Sequence, residues 1–203
     1  MTSSRRRAKA RGFTLIELLV TITLLSILTA LAMPSMTAWV RNGKVRTVGD
    51  ALQNGLRLAQ TEALRRSRQV AFSLTNSSTP ESGVNVGAVA NGRNWSINAL
   101  PSMSAGETSA FVQSGVLADV SSDVQIVGPA AICFNSVGRL VANALPMLTD
   151  VTGGETCSAT AAPAYDITLA GADRRLRVTV ALGGQVRMCD LDKTLSASNP
   201  DGC

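Results

Sequence analysis

The chain begins with a short basic stretch, Arg5-Arg6-Arg7-Ala8-Lys9-Ala10-Arg11-Gly12, that runs straight into 21 residues, Phe13 to Met33, whose only charge is Glu17. An apolar run of that length crosses a bilayer as a helix. A carboxylate inside it is costly and reads as functional, with a partner to be found. No other feature constrains the fold as strongly, because it commits one end of the chain to a single long helix in lipid. An ordinary secretory signal would also have a basic start, an apolar core and a small-residue cleavage site. Ala30-Leu31-Ala32 could serve as that site. The run is longer than such a core needs, however, and Glu17 has no role in it. A plain membrane anchor with an accidental Glu is the other simple reading.

The net charge of +5 reflects topology more than surface chemistry. Five basic residues and no acid lie in the first 12 residues, and the remainder carries 14 basic and 14 acidic side chains. Positive residues beside a membrane segment stay cytoplasmic, so everything after Met33 is expected outside the inner membrane. A second asymmetry follows. From Arg41 to Arg68 there are seven basic and two acidic residues, and from Gln69 to Cys203 seven basic and eleven acidic. A positive helix and a mildly negative head suit packing between subunits, although a solvated helix face gives the same counts.

Pro34 removes an amide donor and is expected to break or kink the helix. A helical pattern resumes at once, and Val45, Val48, Leu52, Leu56, Ala59 and Ala63 trace one face at spacings of three and four. The reading is one long helix from Phe13 to about Ser67, roughly 80 Å at 1.5 Å per residue. Strand chemistry follows in Val70–Leu74, near Trp95–Ile97, in Ala110–Leu117, Val124–Val127 and Ala131–Phe134, and in a terminal meander of Tyr165–Leu169, Leu176–Ala181 and Val186–Cys189. A polar loop follows Leu74, and Asn143 to Pro163 reads as a long loop. Helix first and strands after predict an α+β fold, the helix lying on an antiparallel sheet. The segments are a leader at 1–12, a membrane helix at 13–33, an amphipathic continuation at 34–68 and a β-rich head at 69–203.

All four cysteines lie in the last third, on the expected oxidising side. Three pairings are possible. Cys189 with Cys203 closes a loop worth roughly 3 kcal/mol in the chain-entropy model, which leaves Cys133 with Cys157. Zinc is disfavoured because there is no C-x-x-C and no histidine. No metal and no cofactor are expected.

The leader, the Gly12–Phe13 junction and the Glu at the fifth position after it closely resemble the type III signal of type IV pilins and pseudopilins. The resemblance implies that a prepilin peptidase cuts between Gly12 and Phe13 and methylates the new Phe13 amine. The resemblance narrows further along the chain. Asp50-Ala51-Leu52-Gln53-Asn54-Gly55-Leu56-Arg57-Leu58-Ala59-Gln60-Thr61-Glu62-Ala63-Leu64-Arg65-Arg66 is similar to the helix of the FimT/GspH family. Phe134-Asn135-Ser136-Val137-Gly138-Arg139-Leu140 and Gly184-Gln185-Val186-Arg187-Met188-Cys189 look like its two late strand motifs. Gln60-Thr61 stand where that family often has Arg-Ser. A pilin-like minor subunit is thereby implied, a structural part of the tip or priming complex of a type IV pilus or type II secretion pseudopilus. Its implied partners are other major and minor pilins or pseudopilins, the prepilin peptidase and the inner membrane assembly platform.

On this reading Glu17 is an anion and the freed Phe13 amine a cation at similar depth, and across two subunits they neutralise each other and set register. Gly12 meets a peptidase site that accepts no side chain. Trp39 is placed as an interfacial anchor. Arg174, Arg175, Arg177 and Arg187 cluster in the terminal meander, and some members of the FimT branch are implicated in DNA capture. A nucleic-acid patch at Arg175, Arg177 and Arg187 is therefore the alternative, disfavoured by the acidic tail and the scarcity of aromatics. The usual nucleophile–base constellations are missing, so no enzymatic role is expected.

Overall fold

The computed structural model describes residues 12–80, 87–101, 109–143, 157, 159 and 161–203. Most of the leader and most of the loop expected from Asn143 to Pro163 lie outside them. The chain divides into two units, Met1–Ala38 and Trp39–Cys203. One helix, α1, runs from Leu15 to Arg66. It passes through Pro34 without a break, which corrects the expected interruption. A proline removes one bond of the helical ladder and leaves those on either side to hold the turn.

In the first unit every large apolar side chain from Leu15 to Met33 is exposed. The hydroxyls among them are not left to water. Thr21, Thr23, Ser26, Thr29 and Ser35 each donate to a carbonyl three or four residues earlier, at 2.8–3.0 Å. That is how polar side chains become tolerable in hydrocarbon, where nothing else will accept the proton.

Among the described residues the second unit holds nine strands: β1 Val70–Thr75, β2 Asn94–Ala99, β3 Ala110–Gly115, β4 Gln125–Val127, β5 Ala131–Phe134, β6 Leu140–Val141, β7 Ala164–Thr168, β8 Leu176–Val180 and β9 Val186–Asp190. They form two antiparallel sheets rather than the one expected, ordered β3-β2-β1-β5-β6 and β4-β7-β8-β9. The split arises because β5 returns to the free edge of β1, while β4 pairs with the distant β7. The strand expected over Ala110–Leu117 ends at Gly115. Leu117–Asp119 turns into a short 3-10 helix instead, which buries Leu117 under β2.

The helical stripe from Val45 to Ala63 is fully buried and joins Phe72, Ile97, Ile132, Tyr165, Ile167 and Val178 in one core. Each such large side chain contributes roughly 1.5–3 kcal/mol by leaving water. Two glycines, not singled out by the sequence pattern, let α1 approach both sheets. A side chain at Gly49 would press on Met188 and Ile167, and one at Gly55 on Phe72 and Trp95. In β1, alternation sends Val70, Phe72 and Leu74 toward the helix and Ala71 to the other face. There Ala71 packs with Leu100, Ala131, Cys133 and Cys157.

Phe72 stacks on Trp95 at 5.7 Å and meets Tyr165 edge-on at 6.1 Å. The Tyr165 hydroxyl is wholly buried and has no hydrogen-bond partner among the described residues. Burial pushes its pKa well above the ordinary phenol value. An unpartnered buried hydroxyl costs about 1–3 kcal/mol. Tyr165→Phe is therefore expected to raise the melting temperature by about 2–12 °C. A fall in a thermal melt would mean that the hydroxyl is satisfied.

Candidate functional site

The start of α1 is built by Thr14, Glu17 and Leu18. Thr14 precedes the helix, its carbonyl takes the Leu18 amide at 3.1 Å, and its hydroxyl takes the Glu17 amide at 3.2 Å. Glu17 reaches back, and its Oε2 accepts both the Thr14 amide at 2.9 Å and the Thr14 hydroxyl at 2.8 Å. This is a reciprocal capping box, with Thr at the N-cap and Glu three residues on. The signal T-x-x-E was readable at Thr14-Leu15-Ile16-Glu17, but sequence reasoning weighed Glu17 only as an intersubunit charge. The carboxylate has a local task in the subunit as well. Its second oxygen, Oε1, accepts no hydrogen bond among the described residues, and Glu17 and Phe13 are both exposed. Glu17 and the Phe13 backbone nitrogen are not bonded to each other within the chain. A Cβ at Gly12 would meet open space, so nothing within the described residues demands glycine there.

In the head, the structure brings together the two late motifs that the sequence separates by 43 residues or more. The turn after β5 places Gly138 at a φ of 75°, and the turn before β9 places Gly184 at a φ of 94°. A side chain at Gly184 would overlap the Gly138 carbonyl. That carbonyl accepts the Gln60 amide from α1 at 2.9 Å, and the Leu140 amide donates to the Leu182 carbonyl at 3.1 Å. Gln60 ties the helix to both turns, a role not anticipated from its sequence position. Nearby, Arg65 and Arg66 both donate to Glu62, which lowers that carboxyl to about 2.

The arginines of the terminal meander are already occupied. Arg175 donates Nε and Nη2 to Asp192 Oδ1 at 2.9 and 2.6 Å and its backbone amide to Oδ2 at 2.9 Å, and this pairing holds the Asp192 carboxyl below its usual range. Arg177 makes a forked contact with Asp166, donating Nε to Oδ1 at 2.6 Å and Nη2 to Oδ2 at 2.8 Å. Arg174 pairs with the buried Asp190 and with Asp201. Arg187 donates to the carbonyls of Pro200 and Gly202. What looked from the sequence like a basic cluster is a set of internal ion pairs and strap contacts, because strand pairing sets Asp166 of β7 and Asp190 and Asp192 at the end of β9 beside the β8 arginines, and the returning tail adds Asp201 and the carbonyls that hold Arg187. Cys189 is joined to Cys203, and Cys133 to Cys157. The first bond ties the chain end to β9, and the second covers the outer face of β1.

A capped apolar helix whose second half packs on antiparallel sheets defines a pilin-like subunit with a membrane anchor. Two family models match it: the prokaryotic N-terminal methylation motif at residues 7–33, and the type II transport protein GspH at residues 48–184. The second match spans well over half of the chain, which therefore belongs to the GspH family of structural minor pilins and pseudopilins. Three solved structures are similar to it. The type IV minor pilin FimU of Pseudomonas aeruginosa is 13% identical over 74% of this chain and 91% of its own, with a TM-score of 0.46. The minor pseudopilin EpsH from the type 2 secretion system of Vibrio cholerae is 12% identical over 72% and 97%, at 0.45. GspH of E. coli is 10% identical over 76% and 94%, also at 0.45. Family membership rests on the family match and not on these distant likenesses. No curated protein matches the chain significantly.

Proposed function

We propose that this chain is a filament subunit inserted in the bacterial inner membrane by the first part of α1, its N-terminus cytoplasmic and its head periplasmic. A prepilin peptidase cuts between Gly12 and Phe13 and methylates the Phe13 amine. The subunit then leaves the assembly platform to join other pilins or pseudopilins in the tip or priming complex of a type IV pilus or a type II secretion pseudopilus. The observation that carries this reading is the methylation motif at residues 7–33 directly ahead of the GspH region. Glu17 supports it by keeping one carboxylate oxygen unbonded at the helix start, where a neighbour's amine could pair with it. Capture of duplex DNA has less support, since Arg175, Arg177 and Arg187 spend their donors within the head.

Intact-mass and N-terminal peptide analysis of protein extracted from membranes tests this directly. The expected chain starts at N-methylated Phe13. A mature terminus near Met33 would replace the pilin reading with that of a secreted protein.

A further inference from the structure

Trp39 opens the second unit six residues after Met33, about 9 Å of helix at 1.5 Å per residue. The next turn of α1 grips the turn between β7 and β8. Arg41 donates Nη1 to the Gly171 carbonyl at 3.4 Å. Asn42 accepts the Asp173 amide at 2.9 Å and donates to the Asp173 carboxylate at 3.4 Å. Gly171 has a φ of 74°, and a Cβ there would overlap the Arg41 guanidinium. The β7–β8 turn is thereby fastened to helix residues two and three positions after Trp39. Trp39 is 74% exposed, and Val40, Arg41, Ala170, Gly171 and Asp173 are exposed beside it in this part of the head. Arg41 meets a neutral carbonyl, so that contact leaves its positive charge in place. Lys44, three residues on, shares its face of α1. Arg46 and Arg174, by contrast, face the carboxylates of Asp50 and Asp190.

We propose that this base of the head rests on anionic phospholipid headgroups, with Arg41 and Lys44 against the phosphates and the β7–β8 turn lying beside them; the proposal rests on the membrane-anchor reading and adds a lipid-facing surface to the head. Distance selects the occupant. Eight residues take Arg41 about 12 Å along the helix from Met33. Headgroups extend roughly 5–8 Å past the hydrocarbon, and the long stem of Arg41 reaches back across the remainder. Trp39 lies between the two, and an indole is at home at the boundary of hydrocarbon and headgroup. Charge selects the lipid. Each basic side chain near an anionic surface strengthens attraction roughly fivefold, which a zwitterionic headgroup does not provide. Asn42 holds the Asp173 carboxylate against the helix, away from the same phosphates. The contact belongs to the subunit in the bilayer and is given up when the subunit leaves for a filament.

The test uses the full chain in vesicles of phosphatidylcholine, with or without phosphatidylglycerol, and a photo-crosslinking residue replacing Ala170 in the β7–β8 turn. The expected product in the anionic vesicles is a lipid adduct at that position. Its yield should fall about fivefold or more in phosphatidylcholine alone, at high salt, and with Arg41→Gln. Arg41→Lys, which keeps the charge, should retain most of it. The same crosslinker at Leu182, beyond the other end of β8, should give no lipid adduct. Equal yields in the two lipids, no adduct at Ala170, an equal adduct at Leu182, or a loss with Arg41→Lys as complete as with Arg41→Gln would each overturn the proposal. Carbonate extraction of the same vesicles separates two failures. A chain retained in the bilayer without an adduct refutes the lipid-facing surface alone, whereas a chain released from it refutes the membrane anchor itself.

Discussion

A Glu17→Gln chain is expected to enter the membrane and be cleaved normally, yet to fail in filament incorporation by about a hundredfold. The substitution separates the cap that Glu17 makes with Thr14 from the intersubunit charge proposed for it. Glutamine keeps a side-chain carbonyl that can accept from Thr14, so the capping box survives. The negative charge is lost, and the Phe13 amine of a neighbour would then sit unpaired in low dielectric. Breaking a buried ion pair by removing one partner costs about 3–5 kcal/mol, and about 3 kcal/mol corresponds to the hundredfold deficit. Glu17→Ala should fail as badly and also fray the first helical turn. Quantification of the variant in sheared filaments, or complementation of secretion, decides the matter. Wild-type incorporation of Glu17→Gln would leave Glu17 a helix cap and nothing more.

The second large effect is expected in the head. Gly184 has a φ of 94°, and a Cβ there would collide with the Gly138 carbonyl and the Gln60 amide. Gly184→Ala must distort both turns and loosen the link to α1, at a cost of about 3 kcal/mol or more. For a chain of this size that lowers the melting temperature by roughly 6–12 °C. Its neighbour Gly183 faces open space, so Gly183→Ala should change the melt by no more than about 2 °C. Near-UV circular dichroism of the detergent-solubilised chain reads both. A Gly184→Ala melt equal to that of the parent would show that the two late motifs do not depend on this contact.

Both predictions turn on residues whose importance was visible in the sequence for reasons that the fold then altered. Glu17 stood out because a lone charge in 21 apolar residues demands an explanation, and the demand is local chemistry that no fold is needed to state. Its bonds to Thr14 were equally local and could have been read from the T-x-x-E spacing. The buried stripe from Val45 to Ala63 was legible for the same reason, since a helix converts sequence spacing directly into one face. Most strands were legible from alternation and turn residues.

What the sequence could not determine is which strands become neighbours. Strand pairing depends on contacts between segments far apart in the chain, and an apolar run looks the same whichever edge it joins. Hence one sheet was expected and two formed. The arginines of the meander show the same limit: their spacing suggested a shared basic face, but only the register of β8 on β9 sets Asp192 against Arg175 and Asp190 against Arg174. The membrane anchor, its acidic residue and the helical core face are properties of periodicity and local bonding, and the sequence by itself determined them. The two-sheet head, the Gln60 link between distant turns and the neutralised arginines depend on long-range register, and only the tertiary structure decided those.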